Sequence, residues 1–328
     1  MKFLQIGCGS MGKRRIRNLQ FLGQNNIVCY DKRRDRLEEA KKLYNVQTVE
    51  NLESVNWDEI THVIISTPPD IHHQYVLLAV SKDKHVFIEA SVVDDGYEEI
   101  YEIMKDKSCV VAPSCTMRFD PLIVKAKEIL DSNNIGEVLF VNHYFGQYLP
   151  DWHKYESIKD FYVSNKSTGA AREIVPFDMV YINWLFGSPV KTTSLIKNTR
   201  TLGIDIDDIY SLLYVTTKNI QVSFTIDVVS RASYRETKVI GTKGNIEINN
   251  VKGMLSVYSL ENSEWINYTR TELSTTTSNE EMYVKEMDCF LNSTNDGPAF
   301  PFSIKDDHKV LLALYKAEKS FQESKIIE

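Results

Sequence analysis

The first twenty residues limit most strongly what this chain can fold into. A short apolar run, Phe3–Ile6, leads into three glycines with the spacing G-x-G-x-x-G, and a helix-like stretch follows. In such a motif the first glycine permits a tight turn, the second lets a pyrophosphate approach the backbone, and the third lets helix and strand pack closely. The N-terminus of the helix then offers free N–H groups to phosphates. The predicted dinucleotide-binding loop consists of Gly7, Gly9, Ser10, Met11 and Gly12.

The context of the motif favours this interpretation over an ordinary glycine turn. A second apolar run, Ile27–Tyr30, ends at Asp31, and an acid about 20 residues beyond such a loop can bind the hydroxyls of a ribose. Asp31 favours NAD, because a carboxylate accepts hydrogen bonds from ribose hydroxyls and repels a 2′-phosphate. Lys32, with Arg33 and Arg34, provides cations for that phosphate instead, so NADP is the alternative cofactor.

Length and charge narrow the class of protein. A chain of 328 residues predicts two domains. Its net charge of −7 argues against nucleic acid as the main partner. We find neither an apolar run near 18 residues, which a membrane span requires, nor the pattern of a secretory leader. Five scattered cysteines predict reduced thiols, a cytoplasmic location and no metal site. The basic run Lys13–Arg15 is interpreted as a solvent-exposed helix face.

The pattern of apolar residues predicts an α/β fold. Strand-like and helix-like pieces alternate up to about residue 120, as in a doubly wound parallel sheet of the Rossmann type. Asp120 and Pro121 suit the cap and first turn of a helix, which places the domain boundary there. The polar and apolar residues of 220–228 alternate, as in a sheet with one solvated face. The predicted domains are 1–120, which binds NAD(P), and 121–328, an α/β domain with a large open mixed or antiparallel sheet for substrate binding and oligomerisation.

Seven short motifs, in this order and spacing, resemble those of the Gfo/Idh/MocA oxidoreductases over nearly the full length. They are GCGSMG at 7–12, TPPDIH at 67–72, KHVFIE at 84–89, MRFDP at 117–121, IGEV at 135–138, WLFG at 184–187 and VIGTKG at 239–244. The resemblance implies hydride transfer between NAD(P) and a secondary alcohol of a sugar or cyclitol. It also implies an open sheet that often serves as an oligomer interface, here in a dimer or tetramer. The further cofactor-binding residues that it implies are Thr67, Pro68, His72, Glu89 and Arg118.

Two motifs of the family are altered here, and the first lacks both its lysine and its proline. The E-K-P triplet is Glu89-Ala90-Ser91 here, so the usual lysine is missing, and Phe177 stands where the family has a histidine. Oxidation of an alcohol requires that the hydroxyl proton leave with the hydride, and a positioned base accelerates such a step by about a hundred- to ten-thousandfold. The candidates for this role are His153, Glu173 and Asp178.

Two functions therefore stay open. In the first, the chain is an oxidoreductase of a sugar or nucleotide-sugar derivative; the segment 146–160 is similar to members of nucleotide-sugar pathways. In the second, it is a catalytically impaired dinucleotide-binding sensor or partner subunit, because binding of the cofactor does not depend on the missing residues.

Overall fold

The structure is a computed structural model that describes residues 1–152, 157–261, 263–274, 280–295 and 297–328. The chain forms two compact units. The first unit consists of Met1–Thr116 and Met282–His308, and the second of Met117–Glu281 and Lys309–Glu328.

In chain order, the strands are β1 (Phe3–Ile6), β2 (Ile27–Tyr30), β3 (Gln47–Val49), β4 (His62–Ile65), β5 (His85–Ile88), β6 (Val111–Pro113), β7 (Val138–Tyr148), β8 (Pro189–Lys197), β9 (Ile209–Thr216), β10 (Gln221–Asp227), β11 (Val229–Gly241), β12 (Gly244–Asn249), β13 (Met254–Ser259) and β14 (Glu264–Thr269). The helices are α1 (Ser10–Phe21), α2 (Arg34–Tyr44), α3 (His72–Ser81), α4 (Tyr97–Met104), α5 (Pro121–Asp131), α6 (Ala171–Phe186), α7 (Arg270–Leu273), α8 (Glu280–Ser293) and α9 (Ile304–Glu323).

In the first unit, the described residues build a six-stranded parallel sheet with the order β3-β2-β1-β4-β5-β6. Strands β1 and β4 are buried along their whole length, as expected for parallel strands that are covered on both faces. The predicted Rossmann sheet is confirmed. Its carboxyl edge, where such folds bind ligands, includes Gly7, Asp31 and Glu89.

Helix α8 belongs to the first unit although it lies far along the sequence. Met287, Phe290 and Leu291 enter the apolar core that contains Phe3 and Phe87, and the rings of Phe87 and Phe290 are 5.6 Å apart. The prediction of two consecutive domains, 1–120 and 121–328, differs from this division. The helical pattern of α8 shows which face is apolar but not which core that face joins.

In the second unit, the described residues form an eight-stranded sheet with the order β14-β13-β12-β11-β7-β10-β9-β8. Strands β7 and β10 are parallel, and the other neighbouring pairs are antiparallel, which confirms the predicted mixed sheet. Val141, His143 and Phe145 of β7 are buried, whereas Asn142 between them is exposed. The sheet therefore has a covered face and an open face.

Two features are absent from the described residues. None of the helices in these ranges has the length and apolar character that crossing a membrane requires. Nor do these residues include a group of three or more His, Cys, Asp or Glu side chains that could hold a metal ion.

Candidate active site

The glycine loop has open space at one glycine and none at the other two. A Cβ on Gly7, whose φ is +87°, would lie 2.4 Å from the Ser66 carbonyl oxygen, and a Cβ on Gly12 would lie 1.9 Å from the Gly7 carbonyl oxygen. A Cβ on Gly9 would meet only the Arg36 side chain, at 3.5 Å. Helix α1 begins directly after Gly9 and has no acidic residue in its first turn. The loop therefore fits the pyrophosphate of a dinucleotide, with room at Gly9 and free N–H groups beside it.

Asp31 is fixed at the end of β2 by backbone donors. Its Oδ2 accepts the Cys8 N–H at 2.7 Å and its Oδ1 accepts the Arg33 N–H at 2.8 Å. The cations that follow it point to different partners: Arg33 pairs with Asp35, and Arg34 pairs with Glu38 and Glu50. Lys32 is exposed. Arg36, which sequence reasoning missed, lies nearest to the loop, with Nη1 3.9 Å from Asp31 Oδ2.

His72 holds the backbone of the loop that follows β4. Its Nε2–H donates to the Thr67 carbonyl oxygen at 2.8 Å, and burial lowers its pKa. A neutral imidazole suits this contact, because one ring nitrogen is then a fixed donor. Pro68 beside Thr67 is exposed, so this loop presents a rigid surface at the carboxyl edge of the sheet.

Glu89 is paired with an arginine that the sequence interpretation placed in solvent. Arg15 Nε donates to Glu89 Oε1 at 2.6 Å, and Nη2 donates to Oε2 at 3.1 Å. The other side of the Arg15 guanidinium lies 2.9 Å from Glu286 of α8. The interpretation of Arg15 as part of a solvated face is wrong, because its side chain is completely buried. Burial lowers the pKa of Arg15, but the two carboxylates outweigh this effect and raise it.

The residues that replace the lysine and proline of the family triplet belong to a different network. Ser91 is buried, and its Oγ lies 3.1 Å from the Tyr97 hydroxyl, which also donates to the Asp307 carboxylate. Burial raises the pKa of Asp307 to about 6. Ala90 has no group that can exchange a proton, so it cannot take the role of the family's lysine.

Glu173 lies in the first turn of α6 and has few hydrogen-bond partners. The Tyr162 hydroxyl donates to its Oε1 at 2.9 Å. Its Oε2 is shielded from solvent and has no hydrogen-bond partner among the described residues. Burial raises the pKa of Glu173 to about 7, although the Tyr162 hydrogen bond opposes the rise. This carboxyl can therefore take up or release a proton near neutral pH.

Asp178, the second acid of α6, is surrounded differently. It is completely buried, its Oδ2 is bonded to His143 Nε2 at 2.9 Å, and its Oδ1 lies 3.2 Å from Arg235 Nη2. His143 in turn contacts the Thr237 hydroxyl at 2.9 Å. This arrangement suits a residue that orients its neighbours better than one that exchanges protons with a substrate.

Phe177 stands at the position of the missing histidine, and Arg235 packs against it. The Arg235 guanidinium lies against the Phe177 ring at 5.5 Å and against the Phe145 ring at 4.6 Å. Sequence reasoning did not single out Arg235. The sequence does hold a signal for it. Arg235 lies on the same strand face as Thr237 and Val239, which are both buried, and a charged residue on a buried face indicates a functional or paired group.

Two predicted residues remain, Arg118 and His153, and the structure describes the first of them. The Arg118 Nε–H donates to the Val180 carbonyl oxygen of α6 at 3.2 Å, and its guanidinium lies 5.6 Å from the Trp184 ring. His153 lies outside the described residues.

Comparison with known proteins agrees with this fold and loop. Residues 1–114 match the oxidoreductase family with an NAD-binding Rossmann fold, and residues 123–247 match the GFO/IDH/MocA C-terminal domain. The chain belongs to the Gfo/Idh/MocA family of oxidoreductases. Its cofactor is NAD, as the Rossmann match and the position of Asp31 agree.

Individual relatives are distant. Oxidoreductase P35 of Formosa agariphila is 31% identical over 140 residues, which are 41% of this chain and 44% of that protein; an uncharacterized oxidoreductase of Schizosaccharomyces pombe is likewise matched over only 48% of its length. Myo-inositol 2-dehydrogenase of Thermotoga maritima is 23% identical and matches over 100% of this chain and 98% of its own. The solved structure of a levoglucosan dehydrogenase with NADH and levoglucosan superposes with a TM-score of 0.88 at 18% identity, covering 100% of this chain and 98% of that one.

Proposed function

We propose that this chain transfers a hydride between NAD and a secondary alcohol of a sugar or nucleotide-sugar derivative, with Glu173 as the group that accepts or returns the hydroxyl proton. When bound, the nicotinamide accepts or supplies the hydride. The chain's own residues bind the cofactor at the glycine loop, orient it through Asp31 and Glu89, and handle the proton.

The observation that carries the proposal is that the Glu173 carboxyl is buried and has a raised pKa. Its pKa of about 7 lies near the operating pH, where a general base is most effective. The family pattern has an acid about four residues before the histidine that Phe177 replaces. Glu173 stands there, and we assign it the role that Ala90 and Phe177 cannot fill. We assign Asp178 to the positioning of Arg235 and His143, because both of its oxygens face these partners.

The names of the relatives support the substrate class. The myo-inositol 2-dehydrogenase and the levoglucosan dehydrogenase are named for a cyclitol and an anhydrosugar, each of which carries secondary alcohols. These names point to a sugar-like alcohol but not to one particular compound.

The test is NADH formation from NAD with a panel of sugars, cyclitols and nucleotide sugars. We expect at least one substrate, and we expect Glu173→Gln to lower kcat by about a hundred- to ten-thousandfold with little change in NAD affinity. Asp31→Asn is the matched control, since it should weaken NAD binding instead. If NAD binds and no member of a broad panel reduces it, the alternative of a dinucleotide-binding sensor or partner subunit replaces this proposal.

We also propose that the open face of the second sheet associates with a second copy of the chain. Exposed apolar side chains stand on this face; they are Leu195, Leu213, Tyr234, Ile240 and Trp265. Exposed apolar groups on one sheet face are typical of an interaction surface. Sedimentation should show a dimer or tetramer, and Leu213→Lys should shift it towards monomer, whereas Leu43→Lys on the exposed side of α2 should not.

A further inference from the structure

Arg235 has a largely buried guanidinium, for which the part of the chain that the structure describes supplies almost no hydrogen-bond acceptors. Its side chain is 18% exposed. Within the described ranges, its Nη1 has one hydrogen-bond partner, the Met117 sulfur at 3.6 Å, which is a weak acceptor. Its Nε has no partner among the described residues, and Asp178 Oδ1, although 3.2 Å from Nη2, is not aligned as a hydrogen-bond acceptor. Buried donors are nearly always satisfied, so this guanidinium has capacity for an acceptor that the described residues do not supply.

The surroundings hold this guanidinium in place. The register of β7 and β11 puts Arg235 opposite Phe145, and Thr237 opposite His143. The Phe145 and Phe177 rings lie against the guanidinium, while Asp178, itself bonded to His143, fixes one end by charge. A group that is positioned before its ligand arrives loses little entropy when it binds. The arrangement is therefore that of a prepared binding group rather than a solvated surface charge.

The position of Arg235 relates it to the proposed base. Glu173 and Phe177 are four residues apart in α6, so their side chains share one face of the helix about one turn apart. The guanidinium that packs on Phe177 therefore lies beside the turn that carries Glu173.

We infer that Arg235 binds an anionic oxygen group of the substrate, so that the substrate is an acidic sugar derivative. A guanidinium is planar and always charged, and its parallel N–H groups match the two oxygens of a carboxylate or phosphate. A neutral sugar offers only hydroxyls, which leave more of the donors unmatched. The inference rests on the proposed function for its placement in a substrate site. It separates this chain from relatives that are named for neutral compounds.

The experiment compares three matched probes by calorimetric titration of the NADH-saturated protein: glucose, glucuronate and glucose 1-phosphate. We expect at least one acidic probe to bind about tenfold or more tightly than glucose, and the better of the two identifies a carboxylate or a phosphate as the group recognised. Arg235→Gln should abolish the preference. Arg231→Gln, which removes an exposed arginine that lies on the Tyr148 ring, should keep it.

A second measurement avoids dependence on the folding of a variant. Phenylglyoxal modifies accessible arginines, and mass spectrometry locates the modified residue. We expect the preferred acidic probe to slow modification of Arg235 in the wild-type protein, whereas glucose does not. Equal binding of all three probes, binding of none of them, or an acid preference that persists in Arg235→Gln would overturn the inference.

The outcomes for Arg235 and for the proposed function are distinguishable. Binding of an acidic probe through Arg235 without NADH formation by any sugar supports the inference and contradicts the proposed function. Rapid NADH formation from a neutral sugar, unchanged in Arg235→Gln, supports the proposed function and contradicts the inference.

Discussion

Glu286 in the first unit and Glu173 in the second unit are both buried carboxylates, but they differ in the number of their donors. Glu286 accepts hydrogen bonds from the Cys115 N–H at 2.6 Å, the Thr116 hydroxyl at 2.7 Å and the Ser114 hydroxyl at 3.0 Å, and it pairs with Arg15. From the described residues Glu173 accepts one hydrogen bond, which comes from Tyr162.

The difference shows how burial can serve two purposes. Burial raises the pKa of Glu286 too, but Arg15 and the donors from Thr116 and Cys115 oppose this rise. These contacts link α8 to Arg15 and, through it, to Glu89. Burial raises the pKa of Glu173 to about 7, because among the described residues only the Tyr162 hydroxyl opposes the rise. We propose that the first arrangement stabilises a cofactor site and that the second prepares a proton acceptor.

The largest effect should come from breaking the satisfied network. Arg15→Met leaves Glu286 and Glu89 without their shared cation, and removal of one partner from a buried ion pair costs about 3–5 kcal/mol. Urea unfolding measures this loss. Lys13→Met, in the same helix, removes a partly exposed pair with Glu39 and should cost less than about 1 kcal/mol. Equal costs for the two variants would mean that the buried network contributes no more than a surface pair.

Removal of the Glu173 carboxylate should raise the free energy of unfolding, whereas removal of Arg15 lowers it. Below about pH 4.5 Glu173 is protonated in both folded and unfolded chains. Between 4.5 and about 7 the unfolded chain loses this proton first, so the free energy of unfolding falls as pH rises. Glu173→Gln should therefore stabilise the protein by roughly 2–3 kcal/mol at pH 8 and by much less at pH 5.

Two comparisons isolate this effect. Asp307, with a pKa raised to about 6, makes its own contribution to the pH dependence, but it is present in both wild type and Glu173→Gln and cancels in the difference. Glu128→Gln, on the exposed side of α5, should leave stability unchanged at both pH values. A Glu173→Gln protein that is less stable than wild type at pH 8 would show that the carboxylate is well satisfied.

The glycine loop offers a third test, in which fold and ligand binding are separated. Gly9→Ala adds a Cβ that meets only the Arg36 side chain at 3.5 Å, so the fold should tolerate it. The same Cβ fills the space left for a pyrophosphate, and NAD affinity should fall by about tenfold or more, which is ~1.4 kcal/mol. Gly12→Ala clashes with the Gly7 carbonyl oxygen and should impair both stability and binding. Calorimetry with NAD and thermal unfolding distinguish the two variants.

The smallest predicted effect concerns the residue that caps α6. Ala170 has φ 57° and ψ −130°, a conformation that costs a non-glycine residue about 1–3 kcal/mol. Ala170→Gly should stabilise the protein by about 1 kcal/mol, since the entropy cost of glycine offsets part of the relief. Ala171→Gly, at the next position, should instead destabilise it by a similar amount in urea unfolding. Destabilisation by both substitutions would mean that Ala170 is not strained.

These regions also differ in how far the sequence predicts them. Local spacing was enough for the glycine loop and for β1 and β2, whose observed bounds agree with the two apolar runs. In these segments the periodicity of apolar residues and the backbone requirements of glycine act over a few neighbouring residues. Asp120 likewise caps α5 by accepting the Leu122 N–H at 2.9 Å, as predicted.

Long-range pairing explains what the sequence did not predict. In the sequence, Arg15 is one of three consecutive cations, which indicates a solvated helix face. Its burial follows from its pairing with Glu89 and Glu286, which are distant in sequence. Arg235 is 57 residues beyond Asp178, and nothing local to either residue indicates that they meet. The candidate catalytic site depends on such contacts more than the cofactor loop does, because side chains rather than backbone groups build it.

The protonation of Glu173 is the central claim, and its direct titration is the most decisive measurement. NMR of protein with isotopically labelled glutamate side chains, assigned by comparison with Glu173→Gln, follows this carboxyl across the pH range. We predict a titration midpoint near pH 7 for Glu173. A ligand or a substitution that provides more hydrogen-bond donors to the carboxylate should lower this midpoint. A midpoint near the ordinary value of 4.5 would show that Glu173 is a permanently charged group, and its assignment as the proton acceptor would be withdrawn.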